Sequence, residues 1–181
     1  AVTMSLARRR ALLDYAGRQR CWIVEDDYDG EFRYAPHAEP ALRSLDAGDR
    51  VVYVGTFSKV LFPALRLGYV IAPRALREDL VIAKRLDDLG CGAIEQLAMA
   101  RFMASGGFDR HLRKASAELR RRRQALLEGL ARHAPSLQVT HSVAGMHVVA
   151  WLPGWTDERL RRLRAHALER GLGLYGIAPH C

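Results

Sequence analysis

Apolar spacing divides the chain into short buried runs and longer amphipathic stretches. The densest apolar run, Val51-Val52-Tyr53-Val54-Gly55, is β-branched and ends in glycine, which predicts a buried strand. Cys21-Trp22-Ile23-Val24 predicts a second strand, and Gly68-Tyr69-Val70-Ile71-Ala72, stopped by Pro73, a third. The link between the runs at 51–55 and 68–72 is too short for a helical crossover, so those strands are expected to be antiparallel neighbours. Helical spacing covers residues 5–20, with Ser5 as N-cap and Leu6, Ala11, Leu12, Leu13 and Ala16 as a broken stripe. It returns at 74–88 and 94–105, with Gly90 and Gly92 between them and Gly106-Gly107 after. A long helix is predicted over 108–132, its stripe formed by Phe108, Leu112, Ala115, Leu119, Leu126 and Leu130, and Pro135 ends it. Residues 36–49 predict a loop with a short helical piece. Beyond it all, strands are expected at 137–140, 146–152 and from 172 to 175, with a helix capped by Thr156 and running to 170.

Composition narrows this picture without deciding it. Hydrophobic residues make up 49% of the 181, enough for a real core. No apolar run approaches the roughly 18 residues of a membrane span, and the first residues lack the pattern of a signal peptide. Cys21, Cys91 and Cys181 are odd in number and far apart, which implies neither a disulfide framework nor a metal site, and a cytoplasmic location is expected. The first methionine is Met4, so the chain is expected to begin inside a longer protein. The net charge of +8 suggests an anionic partner, yet much of it lies in Arg110, Arg113, Lys114 and Arg120 to Arg123. That run reads as a solvated helix face; no zinc-finger or RNA-binding motif accompanies it.

The candidate chemistry lies where the first two strands end. Glu25-Asp26-Asp27-Tyr28-Asp29-Gly30-Glu31 follows the strand at 21–24, and acids are poor strand formers, so the cluster is expected at its carboxyl end. If the strand continues, Trp22, Val24, Asp26 and Tyr28 share one face, and Ile23, Glu25 and Asp27 the other. After the strand at 51–55 come Thr56, Ser58 and Lys59, then Arg66. Ligands of open α/β sheets bind beyond the carboxyl ends of strands, where a lysine is a phosphate contact or an amine nucleophile. Pyridoxal phosphate would use all of these groups. Lys59 would hold the aldehyde as an imine, and Asp26, rather than its rival Asp27, would keep the ring nitrogen protonated. Tyr28 would bond the phenolic oxygen, while Thr56, Ser58 and Arg66 would bind the phosphate.

At these residues the chain resembles fold-type I pyridoxal-phosphate proteins, the class I and II aminotransferases, and in detail the aminotransferase-like domain of MocR-type regulators of the GntR family. The likeness rests on the segment from Val24 to Tyr34, on Gly55-Thr56-Phe57-Ser58-Lys59 and on Phe62-Pro63-Ala64-Leu65-Arg66-Leu67-Gly68-Tyr69. Glu95-Gln96, Phe102, Gly106, Asp109-Arg110-His111-Leu112-Arg113 and Ala144-Gly145-Met146-His147 extend it. The resemblance implies the same roles for Lys59, Asp26, Tyr28, Thr56, Ser58 and Arg66; His147 receives none.

It also implies an α/β fold, namely part of a fold-type I large domain with a mostly parallel sheet and one antiparallel strand, plus the start of a small α+β domain. Residues 1–106 would be the second half of the large domain, 107–133 an interdomain helix and 134–181 a truncated small domain. The winged helix-turn-helix of full family members, the first half of the large domain and the arginine that grips a substrate carboxylate are not in this sequence, so the chain is expected to be a fragment. The partners implied are an amino acid or amine, a second copy in the intact protein, and DNA only through the winged helix, with no membrane. A sensing module of a regulator, a free-standing aminotransferase and a non-functional remnant are the readings that follow.

Overall fold

A computed structural model describes residues 4–34, 39–90, 92–140 and 144–177. Cys91, Cys181 and the first part of the predicted loop at 36–49 lie outside the described residues. Helix α1 spans Leu6–Gln19 and buries Ala16 completely. Ser5 has the extended backbone of an N-cap, but its hydroxyl makes no capping bond; its carbonyl accepts from the Arg9 N–H at 3.0 Å.

Strand β1 spans Ile23–Asp27 and therefore runs through the acids rather than stopping before them. The reason is that the inward acids find partners. Glu25 accepts the backbone N–H groups of Leu42 and Arg43 at 2.7 and 2.9 Å, capping the short helix α2, Leu42–Leu45, and it lies 3.4 Å from Arg9 of α1. Strand β2, Val51–Thr56, lies parallel to β1 with Asp26 opposite Val54 and Asp27 opposite Gly55. Asp46 prepares its start by accepting the N–H groups of Gly48, Arg50 and Val51. Strand β3, Gly68–Ile71, pairs antiparallel with β2, as the short connection predicts, so the sheet order is β1-β2-β3.

The two faces of this sheet differ. Val24, Val70 and Tyr28 mark an open face, at 69%, 54% and 41% exposure, shared with Asp26, Val52, Val54 and Thr56. The other face carries Glu25, Asp27, the fully buried Val51, Tyr53, Gly55 and Tyr69. A core of Phe32, Val60, Met99 and Phe108 lies beside it, joined by Phe57, Leu61, Leu67, Leu112, Ala115, Leu119 and Met146.

After a 3₁₀ turn at Arg74–Leu76, helix α3 covers Arg77–Asp88 and α4 Ala93–Ala104. Helix α5, Gly107–His133, starts at a glycine because a Cβ at Gly107 would stand 2.4 Å from the Phe102 ring. Its first half supplies the predicted stripe; Leu126 is exposed. The helix stops before Ala134, the residue preceding Pro135, whose ring disfavours helical backbone there.

The last segment is less regular than its sequence predicts. Strands β4, Gln138–Val139, and β5, Ala150–Trp151, form a two-residue antiparallel ladder in place of the longer runs at 137–140 and 146–152. Helix α6 spans Asp157–Glu169, with the Thr156 hydroxyl accepting the Arg159 N–H at 3.4 Å. Residues 172–175 form no strand. Leu172 donates to the Ala167 carbonyl and Gly171, at φ +76, to Leu168, so this backbone completes the helix end as a Schellman turn. No described helix is long and apolar enough to cross a membrane.

Candidate cofactor site

The sequence-predicted residues gather at the carboxyl ends of the parallel pair β1 and β2. Asp26 is the penultimate residue of β1, Tyr28 follows the strand, and Thr56 closes β2 on the same face. Ser58, Lys59 and Arg66 occupy the connection from β2 to β3. Its base is tied by the Phe57 N–H to the Leu67 carbonyl at 3.0 Å, and by the Leu61 N–H to Phe57 at 2.9 Å. Lys59 is exposed between two anchors: Val60 is buried, and the Phe57 ring packs on Tyr69 and edge-on against Phe108. Arg66 holds a left-handed backbone, φ 51, after the 3₁₀ turn Pro63–Leu65.

Hydrogen-bonding partners separate the candidates. Among the described residues, the side chains of Asp26, Tyr28, Ser58, Lys59 and Arg66 have no hydrogen-bond or ionic partner. The acids flanking Asp26 do: Glu25 holds the start of α2, and Asp27 accepts the Tyr53 hydroxyl at 3.0 Å and faces Arg33 at 3.7 Å. Thr56 is also engaged; its hydroxyl donates to the Leu67 carbonyl at 3.3 Å and accepts the Ser58 N–H at 3.1 Å. A phosphate contact by this hydroxyl would have to replace the first bond. No hydrogen bond or ion pair among the described residues joins Asp26 or Tyr28 to Lys59 or Arg66. Two surface hollows of about 370 and 470 Å³ lie on α5 and against α6, and neither is lined by these residues. His147 is exposed and outside any strand.

The basic run on α5 is partly neutralised. Arg121 and Arg122 both bond Glu118, which holds that carboxyl down to about 2, and Arg120 and Arg123 lie over the Tyr34 ring. Sequence reasoning assigned nothing to Tyr53, Tyr69 or Phe57, which stand behind the site. The available signal was the pairing of a tyrosine with a strand glycine, Tyr69 opposite Gly55.

The fold is that of the fold-type I aminotransferases. The crystal structure of Pyrococcus horikoshii kynurenine aminotransferase, in complex with PMP, superposes with a TM-score of 0.84 at 32% identity, over 95% of this chain and 42% of that one. The family model for aminotransferase class I and II matches residues 1–171, and the chain belongs to that family. An uncharacterized HTH-type transcriptional regulator, YhdI, of Bacillus subtilis is 35% identical over 97% of this chain and 37% of its own length. The probable rhizopine catabolism regulatory protein MocR of Rhizobium meliloti is 36% identical over 81% of this chain and 30% of its own. The chain thus spans well under half the length of these relatives. The family is pyridoxal-phosphate-dependent and binds amino acid substrates, and its members include both regulators and enzymes.

Proposed function

We propose that this chain supplies the cofactor-binding and effector-sensing part of a MocR/GntR-type transcriptional regulator, with pyridoxal phosphate carried on Lys59. The observation that carries the reading is the contrast among three consecutive acids: Glu25 and Asp27 are committed to structural partners, while Asp26 is unpaired on the open face. An unpaired carboxylate, phenol, ammonium and guanidinium at one end of a parallel strand pair fit this cofactor's ring nitrogen, phenolic oxygen, aldehyde and phosphate. Asp26 would hold a proton on the ring nitrogen, Tyr28 would donate to the phenolic oxygen, and Ser58, Thr56 and Arg66 would bind the phosphate. When bound, the cofactor supplies an electron sink for amino-acid chemistry.

The intact protein is proposed to act as a homodimer that answers an amino acid or amine, reaching DNA through a separate winged-helix domain. Residues 1–106, 107–133 and 134–181 are proposed as its large-domain part, connecting helix and small-domain part. A free-standing aminotransferase is the second reading, favoured by the 32% identity and shared fold of the P. horikoshii enzyme. Turnover of an amino donor with a keto acid by the purified protein would favour the enzyme; specific DNA binding altered by an amine would favour the regulator.

Borohydride reduction of the protein with pyridoxal phosphate, followed by peptide mapping, is expected to label Lys59. Label on Lys84 or Lys114 in its place, or none, overturns the assignment.

A further inference from the structure

We infer that Tyr53 and Asp27 form a register clamp behind the sheet and act as positioning residues for Asp26 and for the loop bearing Lys59. The inference rests on the cofactor reading of those two residues and adds what holds them in place.

Three acids in a row leave β1 with a register problem. Side chains alternate along a strand, so a one-residue slip against β2 would put Asp27 where Asp26 now faces and turn Asp26 to the back. Hydrophobic patterning cannot forbid that slip, because Glu25, Asp26 and Asp27 are alike in polarity. The Tyr53 hydroxyl, donating to Asp27 at 3.0 Å across the two strands, distinguishes the two registers. Asp27 is fixed from two other sides: Arg33 lies 3.7 Å from the same carboxylate oxygen, and Gly30 leaves no room between them, since a Cβ there would meet Asp27 at 2.3 Å.

The clamp continues towards the lysine. The Tyr53 and Tyr69 ring centroids are 6.1 Å apart, and Tyr69 lies over Gly55, where a Cβ would approach its ring to 2.4 Å. Phe57 packs against Tyr69 at 5.3 Å and edge-on against Phe108 of α5 at 5.8 Å. Side chains spaced across β1, β2, β3 and α5 therefore fix the backbone one residue from Asp26 and two residues from Lys59. Burial, and then the bond to Asp27, push the Tyr53 phenol far above its ordinary range, so it remains a proton donor at any working pH.

Tyr53→Phe removes the bond and keeps the ring. Spectral titration with pyridoxal phosphate is expected to show about tenfold weaker binding, and the pH at which the bound cofactor's absorption changes should shift. Asp27→Asn, which keeps an acceptor for Tyr53, should retain more affinity than Asp27→Ala, and Asp26→Ala should lose most. Hydrogen exchange without cofactor should quicken at residues 26–30 and 55–59 in Tyr53→Phe, and not in α5. Unchanged affinity and an unshifted pH profile in a folded Tyr53→Phe protein overturn the clamp. If that variant does not fold, equal affinities of Asp27→Asn and Asp27→Ala overturn it. If the unaltered protein binds no pyridoxal phosphate, the cofactor reading fails; the exchange measurement still decides the clamp, which unchanged rates would sink.

Discussion

Five acids fall between residues 25 and 31, and the first three, which lie in β1, owe their different fates to strand alternation. Glu25 and Asp27 are spent on structure, Asp26 is left unpaired on the open face, and Glu31 is turned inward. One Glu31 carboxylate oxygen is buried with no hydrogen-bond partner. Its pKa is raised above the ordinary value, first by burial and then by the nearby charges of Asp27 and Asp29, with its own backbone and Arg33 pulling the other way. The folded chain therefore holds this proton at a pH where the unfolded chain has released it. By linkage, stability falls as pH rises from the ordinary carboxylate range through the raised value, then levels off. Glu31→Gln, which cannot ionise, should be more stable than the parent at pH 7, with the gain shrinking as pH falls through the raised value towards the ordinary 4.5 and levelling off below it. Urea denaturation at pH 7 and pH 4 checks this; a pH-independent difference would show that ionisation of Glu31 is not the cause.

Among the elements, β1 is the informative miss. Strands β2 and β3 and helix α5 are legible because their apolar spacing is local and unbroken. The extension of β1 through Glu25, Asp26 and Asp27 is not, because the partners that let acids enter a strand come from residues 9, 42, 43 and 53. The expected strand at 172–175 fails for a similar reason: its first backbone groups close α6, and no described strand lies there to pair with it. Period two nonetheless put Asp26 and Tyr28 on one face, and that arrangement stands in the exposure alternating along residues 22–28. The support from Tyr53 stayed hidden, since a tyrosine in a strand reads as ordinary β-propensity. If Glu25 links β1 to α2 as described, Glu25→Ala should cost about 0.5–2 kcal/mol in chemical denaturation, the usual range for a lost helix cap. Exchange should also quicken at the amides of Leu42 and Arg43. Protected amides at both positions would show that the carboxylate is dispensable to α2.

At the scale of the molecule, the segment from β4 onward meets the sheet region through a small contact beside the candidate site. The Gly145 N–H donates to the Phe32 carbonyl at 2.8 Å, Arg33 and Ala144 form an isolated antiparallel bridge, and Met146 packs on the core. Gly145 sits at φ +84, and a Cβ there would stand 2.7 Å from the Asp29 carboxylate. This contact therefore bears on the residues just after Tyr28, which ties the placement of the last segment to the open end of β1. Gly145→Ala should lose the roughly 1–2 kcal/mol expected for an alanine held in left-handed backbone, plus the cost of displacing Asp29. Gly171→Ala is the matching control: Gly171 has a similar φ of +76, but nothing lies within 4 Å of its added Cβ. Denaturation of the two variants should show the larger loss at Gly145, and exchange should quicken at residues 29–33 only in that variant. Equal losses, with residues 29–33 protected in both, would mean that only backbone strain is at stake and that the last segment does not brace the loop after β1.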